Sequence, residues 1–229
     1  MPRIIAITGA FGVLGSAVAE AAVRQGDSVA LIDFAPASPR IGATTPDRLV
    51  LGGVDLVDPA SAAKAMAAIE AHFGGLDALL NIAGGFKWEM LEGGDPESWA
   101  AMHRMNVVTC ANACRAALSL LKRSAAGRIV NVGANAAIKA AAGMGAYTAA
   151  KAGVHRLTEA LAEELKSTSI KVNAVLPSIL DTPTNRADMP DADASAWVAP
   201  AALAKVMLFL ASEDAGVING ALLPVVGGV

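Results

Sequence analysis

The sequence predicts an α/β fold: one domain built on a doubly wound parallel sheet of about seven strands, with helices on both faces. Short β-branched runs alternate along the chain with longer alanine-rich stretches, as in successive β-α-β units. The runs are apolar at successive positions, which is typical of strands buried between two helix layers. No repeat, linker or composition break divides residues 1–229, so we expect a single domain.

Seven runs are predicted as strands because each is short and apolar on both faces. In chain order they are Arg3–Thr8, Ser28–Asp33, Leu49–Gly52, Ala78–Asn81, Arg128–Val132, Ile170–Leu176 and Ala221–Val226.

Five helices are predicted between these strands. The second has the clearest start, with Asp58 as N-cap and Pro59 in the first turn. The first follows Gly15 and closes before Gly26. The five predicted ranges are about 15–25, 58–74, 95–123, 147–167 and 201–211.

Residues 177–200 break the alternation. This stretch carries four prolines and the acidic residues Asp181, Asp188, Asp191 and Asp193. Long irregular segments in compact domains are usually functional or mobile, and this one follows the carboxyl end of a strand, beside the crevice where such sheets bind ligands. We predict that it is the substrate loop.

The charge and the apolar pattern exclude two classes of partner. The formal net charge is −3, whereas binding nucleic-acid phosphates needs a basic face. No apolar stretch reaches the roughly 18 residues of a spanning helix, and the N-terminal apolar run is too short for a secretory signal. We therefore expect a cytoplasmic protein that binds neither nucleic acid nor membrane.

Two cysteines, Cys110 and Cys114, lie one helical turn apart. None of the three histidines, His72, His103 and His155, is spaced to complete a metal site with them. We expect packing thiols and no metal.

A glycine-rich segment connects the first predicted strand to the first predicted helix. Glycines there allow a tight turn and let a pyrophosphate approach the helix N-terminus, where free N–H groups favour anions. A glycine-rich turn without a ligand is the alternative. In this strand–helix context we expect a dinucleotide, held by Gly9, Phe11, Gly12, Val13, Leu14 and Gly15.

Asp33 ends the second predicted strand, at roughly the distance expected for a ribose-binding carboxylate. Such a carboxylate accepts hydrogen bonds from the ribose and repels a 2′-phosphate. The glycine segment also lacks Arg and Lys, so NAD(H) is preferred over NADP(H). Asp33 could instead be an exposed loop acid. Asp55 could contact the adenine amino group or serve as a turn residue.

Small residues follow the fourth predicted strand. We expect Ala83 and Gly84 to let the cofactor lie close to the sheet, and Asn81 to support the pocket by binding neighbouring backbone.

Tyr147 and Lys151 are four residues apart and therefore share one helix face. A nearby ammonium favours the ionised phenol and improves it as a proton relay. A surface tyrosine packed on a lysine stem is the alternative that this spacing alone leaves open.

These motifs have the order and spacing of the short-chain dehydrogenase/reductase family, which the chain resembles over essentially its whole length. The resemblance implies a Rossmann-type fold, Tyr147 as proton donor or acceptor, and Lys151 at the nicotinamide ribose. It further implies a catalytic Asn106 holding a water of the proton relay. It also places Pro177 at the cofactor and Thr182 at its carboxamide.

Two positions depart from the usual family pattern. The middle glycine falls at Gly12, where the common pattern would place it at Val13. The family's serine thirteen residues before the tyrosine is replaced by Ala134. Loss of that hydroxyl removes a hydrogen-bond donor to a substrate carbonyl.

The quinonoid dihydropteridine reductase branch shares both departures. The chain resembles this branch in Ala83-Gly84-Gly85 and in the stretch from Leu176 to Trp197, although Asn106 matches the wider family better. The resemblance implies NADH-dependent reduction of a dihydropterin-like or other planar, imine-like substrate, which develops no carbonyl alkoxide. The candidate substrate contacts are Ala134, Asn135, Phe86 and Trp88.

Two other functions remain open. One is a carbonyl reductase or alcohol dehydrogenase that manages without the serine, using Asn135 or a water. The other is a catalytically idle NAD-binding sensor. The helices at 95–123 and 147–167 are apolar on more than one face, so we also expect a homodimer or homotetramer.

Overall fold

The strands were located in a computed structural model of the chain, of which residues 2–38 and 41–228 are described. All seven strands pair in parallel in one sheet. They are β1 Ile4–Thr8, β2 Ser28–Ile32, β3 Arg48–Leu51, β4 Ala78–Asn81, β5 Arg128–Val132, β6 Lys171–Pro177 and β7 Leu222–Val225. The strand order is β3-β2-β1-β4-β5-β6-β7. The predicted fold class is confirmed.

The described residues contain seven α-helices. They are α1 Val13–Arg24, α2 Pro59–Phe73, α3 Glu97–His103, α4 Thr109–Leu121, α5 Gly145–Glu164, α6 Pro183–Asp188 and α7 Pro200–Leu210.

The helix expected at 95–123 runs without a break from Glu97 to Leu121, as α3, a π-helical turn at Arg104–Val108 that contains Asn106, and α4. A different part of the helix prediction was wrong. The expected irregular loop at 177–200 contains α6, because Thr182 accepts a hydrogen bond from Asn185 N and caps the helix while Pro183 occupies its first turn.

Two apolar layers hold the helices to the sheet. Helices α2, α4 and α5 pack on one face and α1 and α7 on the other. Ile5 and Ile7 are fully buried on alternate positions of β1 and share one face of the sheet, where each contributes about 2 kcal/mol of hydrophobic stabilisation. The central strands therefore form a rigid base for the loops at their carboxyl ends.

The strand order reverses between β1 and β4, which opens the ligand-binding crevice of a doubly wound sheet. Thr8, the last residue of β1, links the two loops beside it. Its hydroxyl oxygen accepts hydrogen bonds from the N–H groups of Ile82 and Ala83, each over 3.1 Å.

In the described part of the chain, no helix is both long and apolar enough to cross a membrane.

Candidate active site

A cleft of about 1090 Å³ lies at the carboxyl ends of the strands. Most of the residues predicted to bind the cofactor line it. They are Gly9, Phe11, Gly12, Val13, Leu14, Gly15, Asp33, Asp55, Ala83, Gly84 and Thr182.

Close main-chain packing shapes the glycine loop. A Cβ on Gly15 would lie 2.1 Å from the carbonyl oxygen of Gly9, and one on Gly9 would lie 2.8 Å from Ala83 N. Gly9 also has a positive φ of 65°, which disfavours other residues. A Cβ on Gly12 would have no neighbour closer than 3.5 Å. Gly9 and Gly15 therefore compact the loop, while Gly12 leaves the cleft open.

The start of α1 fits the pyrophosphate of a nicotinamide dinucleotide. Gly12 is its N-cap and supplies no side chain to the first turn. The first N–H groups of a helix have no partner within the helix and attract anions. Asp33 lies farther along the same cleft. The residues of the cleft therefore offer a site for a diphosphate and a site for a ribose.

The Asp33 carboxylate ties the glycine loop to the end of β2. Its Oδ2 accepts a hydrogen bond from Phe11 N and its Oδ1 one from Ala35 N, each over 2.9 Å. Carboxylate oxygens have lone pairs left for ribose hydroxyls. Asp33 is thus not a free loop acid. The next residue, Phe34, is 75% exposed and also lines the cleft; sequence reasoning missed it, although a large apolar residue beside the candidate ribose acid was a signal.

Asp55 forms a local turn at the edge of the cleft. Its Oδ1 accepts a hydrogen bond from Val57 N over 2.9 Å. Asn112 of α4 holds the same loop by donating to the carbonyls of Leu56 and Val57. Asp55 therefore has the turn contact expected of it while remaining open to the cleft.

Asn81 supports the site from below and does not line the cleft. We expected it to bind backbone, but its amide donates to the side chains of Asn131 and Cys114, over 2.9 and 3.2 Å. The reason is the sheet register, which places Asn81 beside Asn131. Asn131 in turn donates to the Thr158 hydroxyl over 2.9 Å. A buried polar chain thus joins β4, β5 and α5.

The two cysteines belong to this chain of contacts. Both are buried free thiols, and Cys110 donates to Asn131 Oδ1 over 3.3 Å. Contact with the Cys110 thiol, followed by burial, raises the pKa of Cys114 well above its usual range. Cys114 is therefore a protonated packing residue.

Asn106 fixes the loop that follows β4. Its Nδ2 donates to the carbonyl of Gly85 over 3.1 Å, and its Oδ1 accepts from Gly85 N over 3.3 Å. A Cβ on Gly84 would lie 2.6 Å from Asn106 Oδ1 and 3.5 Å from Lys151 Nζ. Asn106 and Lys151 therefore flank the same glycine, beside the cleft.

Lys151 is buried and bound to the sheet. Its Nζ donates to the carbonyl of Val132 over 2.8 Å. Burial lowers the pKa of Lys151 to about 8, a shift partly offset by Cys110. The ammonium thus lies at the end of β5 and loses its proton above about pH 8.

Tyr147 differs from expectation in its acidity. We expected Lys151 to lower the pKa of the phenol, but burial raises the pKa of Tyr147 to about 12. Within the described residues, the Lys151 ammonium donates to the carbonyl of Val132, and no hydrogen bond joins it to the Tyr147 hydroxyl. The phenol therefore keeps its proton over the whole neutral range.

Two aromatic residues lie on the loop after β4, and one of them contacts Tyr147. The Phe86 ring meets it edge to face, with 4.9 Å between centroids and an interplanar angle of 85°. Trp88 donates its indole N–H to the carbonyl of Ala142 over 3.1 Å. Both remain more than half exposed, at 55% and 59%. These two exposed aromatic side chains, of which Phe86 contacts the tyrosine, are the apolar wall of the loop after β4.

Ala134 is buried at the end of β5, and the half-buried Asn135 begins the 3₁₀ turn that follows. The side chain of Ala134 offers no hydrogen-bond donor. Its N–H group donates to Nε2 of His155 over 3.3 Å. Sequence reasoning missed His155 as part of this region.

The start of the segment 177–200 borders the cleft. Pro177 is the buried last residue of β6, paired with Val225, and does not itself line the cleft. Thr182 lines it through the start of α6. Asp181 forms an ion pair with Arg186 on this helix, 2.6 Å apart.

Comparison with known proteins agrees with this fold and cleft. The model of the short chain dehydrogenase family matches residues 3–193. The chain is 31% identical over 241 residues to 2-(R)-hydroxypropyl-CoM dehydrogenase of Xanthobacter autotrophicus, covering 97% of this chain and 96% of that protein. It is also 31% identical over 241 residues to 3-oxoacyl-(acyl-carrier-protein) reductase FabG of Vibrio cholerae, covering 99% and 97%.

A solved structure shows the same architecture. The ligand-free aldohexose dehydrogenase AldT of Thermoplasma acidophilum matches with a TM-score of 0.87 at 25% identity, covering 99% of this chain and 93% of that one. The family match extends from β1 through the Tyr147–Lys151 helix and into the segment after β6. The chain therefore belongs to the short-chain dehydrogenase family and is an NAD(P)-dependent oxidoreductase.

Proposed function

We propose that the protein is an NADH-dependent reductase of a small planar, imine-like substrate of the dihydropterin type, with Tyr147 as the proton donor. The observation that carries this proposal is the pairing of a strongly protonated Tyr147 with a position, Ala134, that provides no side-chain donor. The proposal's cofactor preference rests on Asp33, whose carboxylate would repel a 2′-phosphate.

A reduced nicotinamide, when bound, supplies a hydride. Tyr147 delivers the accompanying proton to the substrate nitrogen. The phenol has this proton available because its pKa is raised to about 12. Lys151 holds the nicotinamide ribose from beside Gly84 and carries a positive charge below about pH 8. Asn106 keeps the Gly84–Gly85 backbone in place beneath the reacting groups.

The substrate class follows from what surrounds Tyr147. Reduction of a ketone builds negative charge on oxygen, and a preorganised donor stabilises that charge. Reduction of a ring C=N bond builds charge on a nitrogen that the tyrosine protonates directly. Phe86 and Trp88 give a flat ring an apolar surface beside Tyr147.

Carbonyl reduction or alcohol oxidation is the second candidate. The names of two relatives favour it, since one is a 3-oxoacyl reductase and the other a hydroxypropyl-CoM dehydrogenase, each covering nearly the whole chain. In this reading Asn135, next to Ala134 at the start of the 3₁₀ turn, or a water replaces the missing serine.

NADH oxidation with two matched substrates separates these candidates. We expect turnover with quinonoid 6-methyldihydropterin to exceed turnover with acetoacetyl-CoA. We also expect the Michaelis constant for NADH to lie below that for NADPH. The reverse substrate order would replace the first proposal with the second.

Tyr147→Phe tests the proton donor. We expect kcat to fall by about 100- to 10,000-fold, while NADH binding, followed by its fluorescence, is retained. Near wild-type turnover by this variant would overturn the role of Tyr147. If NADH binds to the wild-type protein but neither substrate is reduced, the reductase proposal fails and the NAD-binding sensor is favoured.

A further inference from the structure

His155 extends the face of α5 that carries Tyr147 and Lys151. It follows Lys151 by four residues, one helical turn, and is only 3% exposed. Its Nε2 accepts a hydrogen bond from the N–H group of Ala134 over 3.3 Å. Only an unprotonated ring nitrogen can accept, so this contact requires the neutral imidazole with its proton on Nδ1.

Two residues of α5 therefore hold the end of β5. Lys151 binds the carbonyl of Val132 over 2.8 Å, and His155 binds the N–H group of Ala134 two residues later. Gly133 lies between these contacts, and a Cβ there would stand 2.5 Å from His155 Nε2. The absence of a side chain at Gly133 lets the imidazole approach the strand end.

The contact sets the position of the turn beside the site. Ala134 is the residue from which the 3₁₀ turn Asn135–Ala137 starts, and its carbonyl accepts a hydrogen bond from Ala137 N over 3.1 Å. Because its N–H group is already engaged by His155, Ala134 offers a substrate oxygen neither a hydroxyl nor a free amide.

We propose that His155 is a positioning residue, whose neutral imidazole holds Ala134 and thereby fixes the Ala134–Asn135 turn against the substrate. Protonation of His155 would place an N–H donor opposite the Ala134 N–H donor and release the turn. The catalytic consequence rests on the proposed function, whereas the contact itself does not.

The surroundings of His155 favour its neutral form. Burial lowers the pKa of His155, and the positive charges of Arg156 and Lys151, both on α5, lower it further. Beside its Nε2 lie Gly133 and Ala134, the two residues that follow β5, and neither carries a titratable side chain. The imidazole therefore stays neutral to a pH below the ordinary histidine value of about 6.5.

NMR of the isotopically labelled protein tests the contact without substrate or cofactor. We expect the His155 ring nitrogen shifts to show the Nδ1–H tautomer, and the Ala134 amide shift to titrate together with the imidazole. In His155→Leu, we expect the Ala134 amide to exchange its hydrogen about tenfold faster relative to β-sheet amides, as for loss of one hydrogen bond. His155→Gln, which restores an acceptor, should slow that exchange again.

His103→Leu, which removes an exposed histidine of α3, is the matched control and should leave the Ala134 amide unchanged. An Nε2–H tautomer, or an Ala134 amide that ignores His155 ionisation, would overturn the proposal. So would equal exchange rates in the Leu and Gln variants, because a role in packing alone predicts no rescue.

A kinetic arm tests the consequence for the reaction, using NADH and quinonoid 6-methyldihydropterin. We expect the acid side of the kcat/KM profile to follow the NMR titration of His155 in the wild type and to be absent in His155→Gln. An acid side that persists unchanged in His155→Gln would overturn the positioning role. If the wild type fails to reduce this pterin, the proposed substrate class fails while the NMR result still decides the contact.

Discussion

The ammonium group of Lys151 donates a hydrogen bond to the main-chain carbonyl of Val132 over 2.8 Å. The bond joins the middle of α5 to the last residue of β5, so the lysine is anchored to the sheet and not to Tyr147. The burial of the lysine side chain lowers its pKa to about 8. A buried charge of this kind weakens the fold while it prepares the site.

Lys151→Met should produce a more stable but inactive protein. The pKa of Lys151 is lowered on folding, so the unfolded chain binds the proton more tightly and stability is reduced below about pH 8. At pH 7, we expect the free energy of unfolding to rise by about 1–3 kcal/mol, less than the full pKa effect because Val132 loses its donor. Urea unfolding measures this change.

The gain should shrink as pH rises above about 8, where the wild-type lysine becomes neutral in the folded state, until about 10.5, where the lysine of the unfolded chain becomes neutral as well. Lys166→Met, which removes an exposed lysine paired with Glu163, should change stability by less than about 0.5 kcal/mol. A Lys151→Met protein less stable than the wild type at pH 7 would contradict this account of the buried charge.

The pH dependence of reduction should show the same group on its alkaline side. Below about pH 8 the Lys151 ammonium is charged, and above it the charge is lost. Tyr147, with its pKa near 12, stays protonated throughout. We therefore expect kcat/KM for reduction to fall above about pH 8, approaching tenfold per pH unit. A profile that stays flat to about pH 10 would show that the ammonium charge is not required.

Sequence patterns predicted the sheet and its ligand-binding edge because both depend on local periodicity and on the glycine turn after β1. They did not predict the π-helical turn at Arg104–Val108. This turn contains Asn106, whose side chain is hydrogen-bonded to Gly85, 21 residues earlier in the chain, and local patterns do not reveal such a contact. The role of His155 was hidden for the same reason: its partner Ala134 lies 21 residues away. Helix α6, by contrast, carried a local signal in its Thr182 cap and Pro183, which the prolines and acids of the segment obscured.

Asp33 should control cofactor choice and also the shape of the glycine loop. Asp33→Ala removes the acceptor of Phe11 N–H as well as the charge that repels a 2′-phosphate. We expect NADH binding to weaken about tenfold, because a charged hydrogen-bond acceptor is lost. NADPH binding should weaken less, because its 2′-phosphate is no longer repelled. Asp33→Asn, which keeps an oxygen for Phe11, should preserve loop stability better than Asp33→Ala.

Fluorescence titration with both cofactors, together with thermal unfolding, measures these effects. Asp47→Asn is a useful control, because Asp47 is another acid beside a neighbouring strand and its carboxylate accepts a local hydrogen bond from Thr45. An unchanged ratio of NADH to NADPH affinity in Asp33→Ala would show that this carboxylate does not discriminate between the cofactors.

Substitution of Phe86 should weaken substrate binding, whereas substitution of Trp88 should destabilise the loop. Phe86 touches Tyr147 edge to face and has no anchoring hydrogen bond among the described contacts, whereas Trp88 donates to Ala142 and packs where a Cβ on Gly143 would lie 2.2 Å away. Phe86→Leu should therefore raise KM for quinonoid 6-methyldihydropterin about three- to tenfold, through loss of aromatic contact worth about 1 kcal/mol, with little change in melting temperature.

Trp88→Leu should instead lower the melting temperature, because Ala142 loses its donor and the turn before α5 loses its packing. For both variants, KM for the pterin and the melting temperature are each compared with the wild-type values. A Phe86→Leu protein whose KM is unchanged for the pterin would show that the ring is packing for Tyr147 and not a platform for the substrate. The apolar wall beside the tyrosine would then be structural, and the planar-substrate proposal would rest on Ala134 alone.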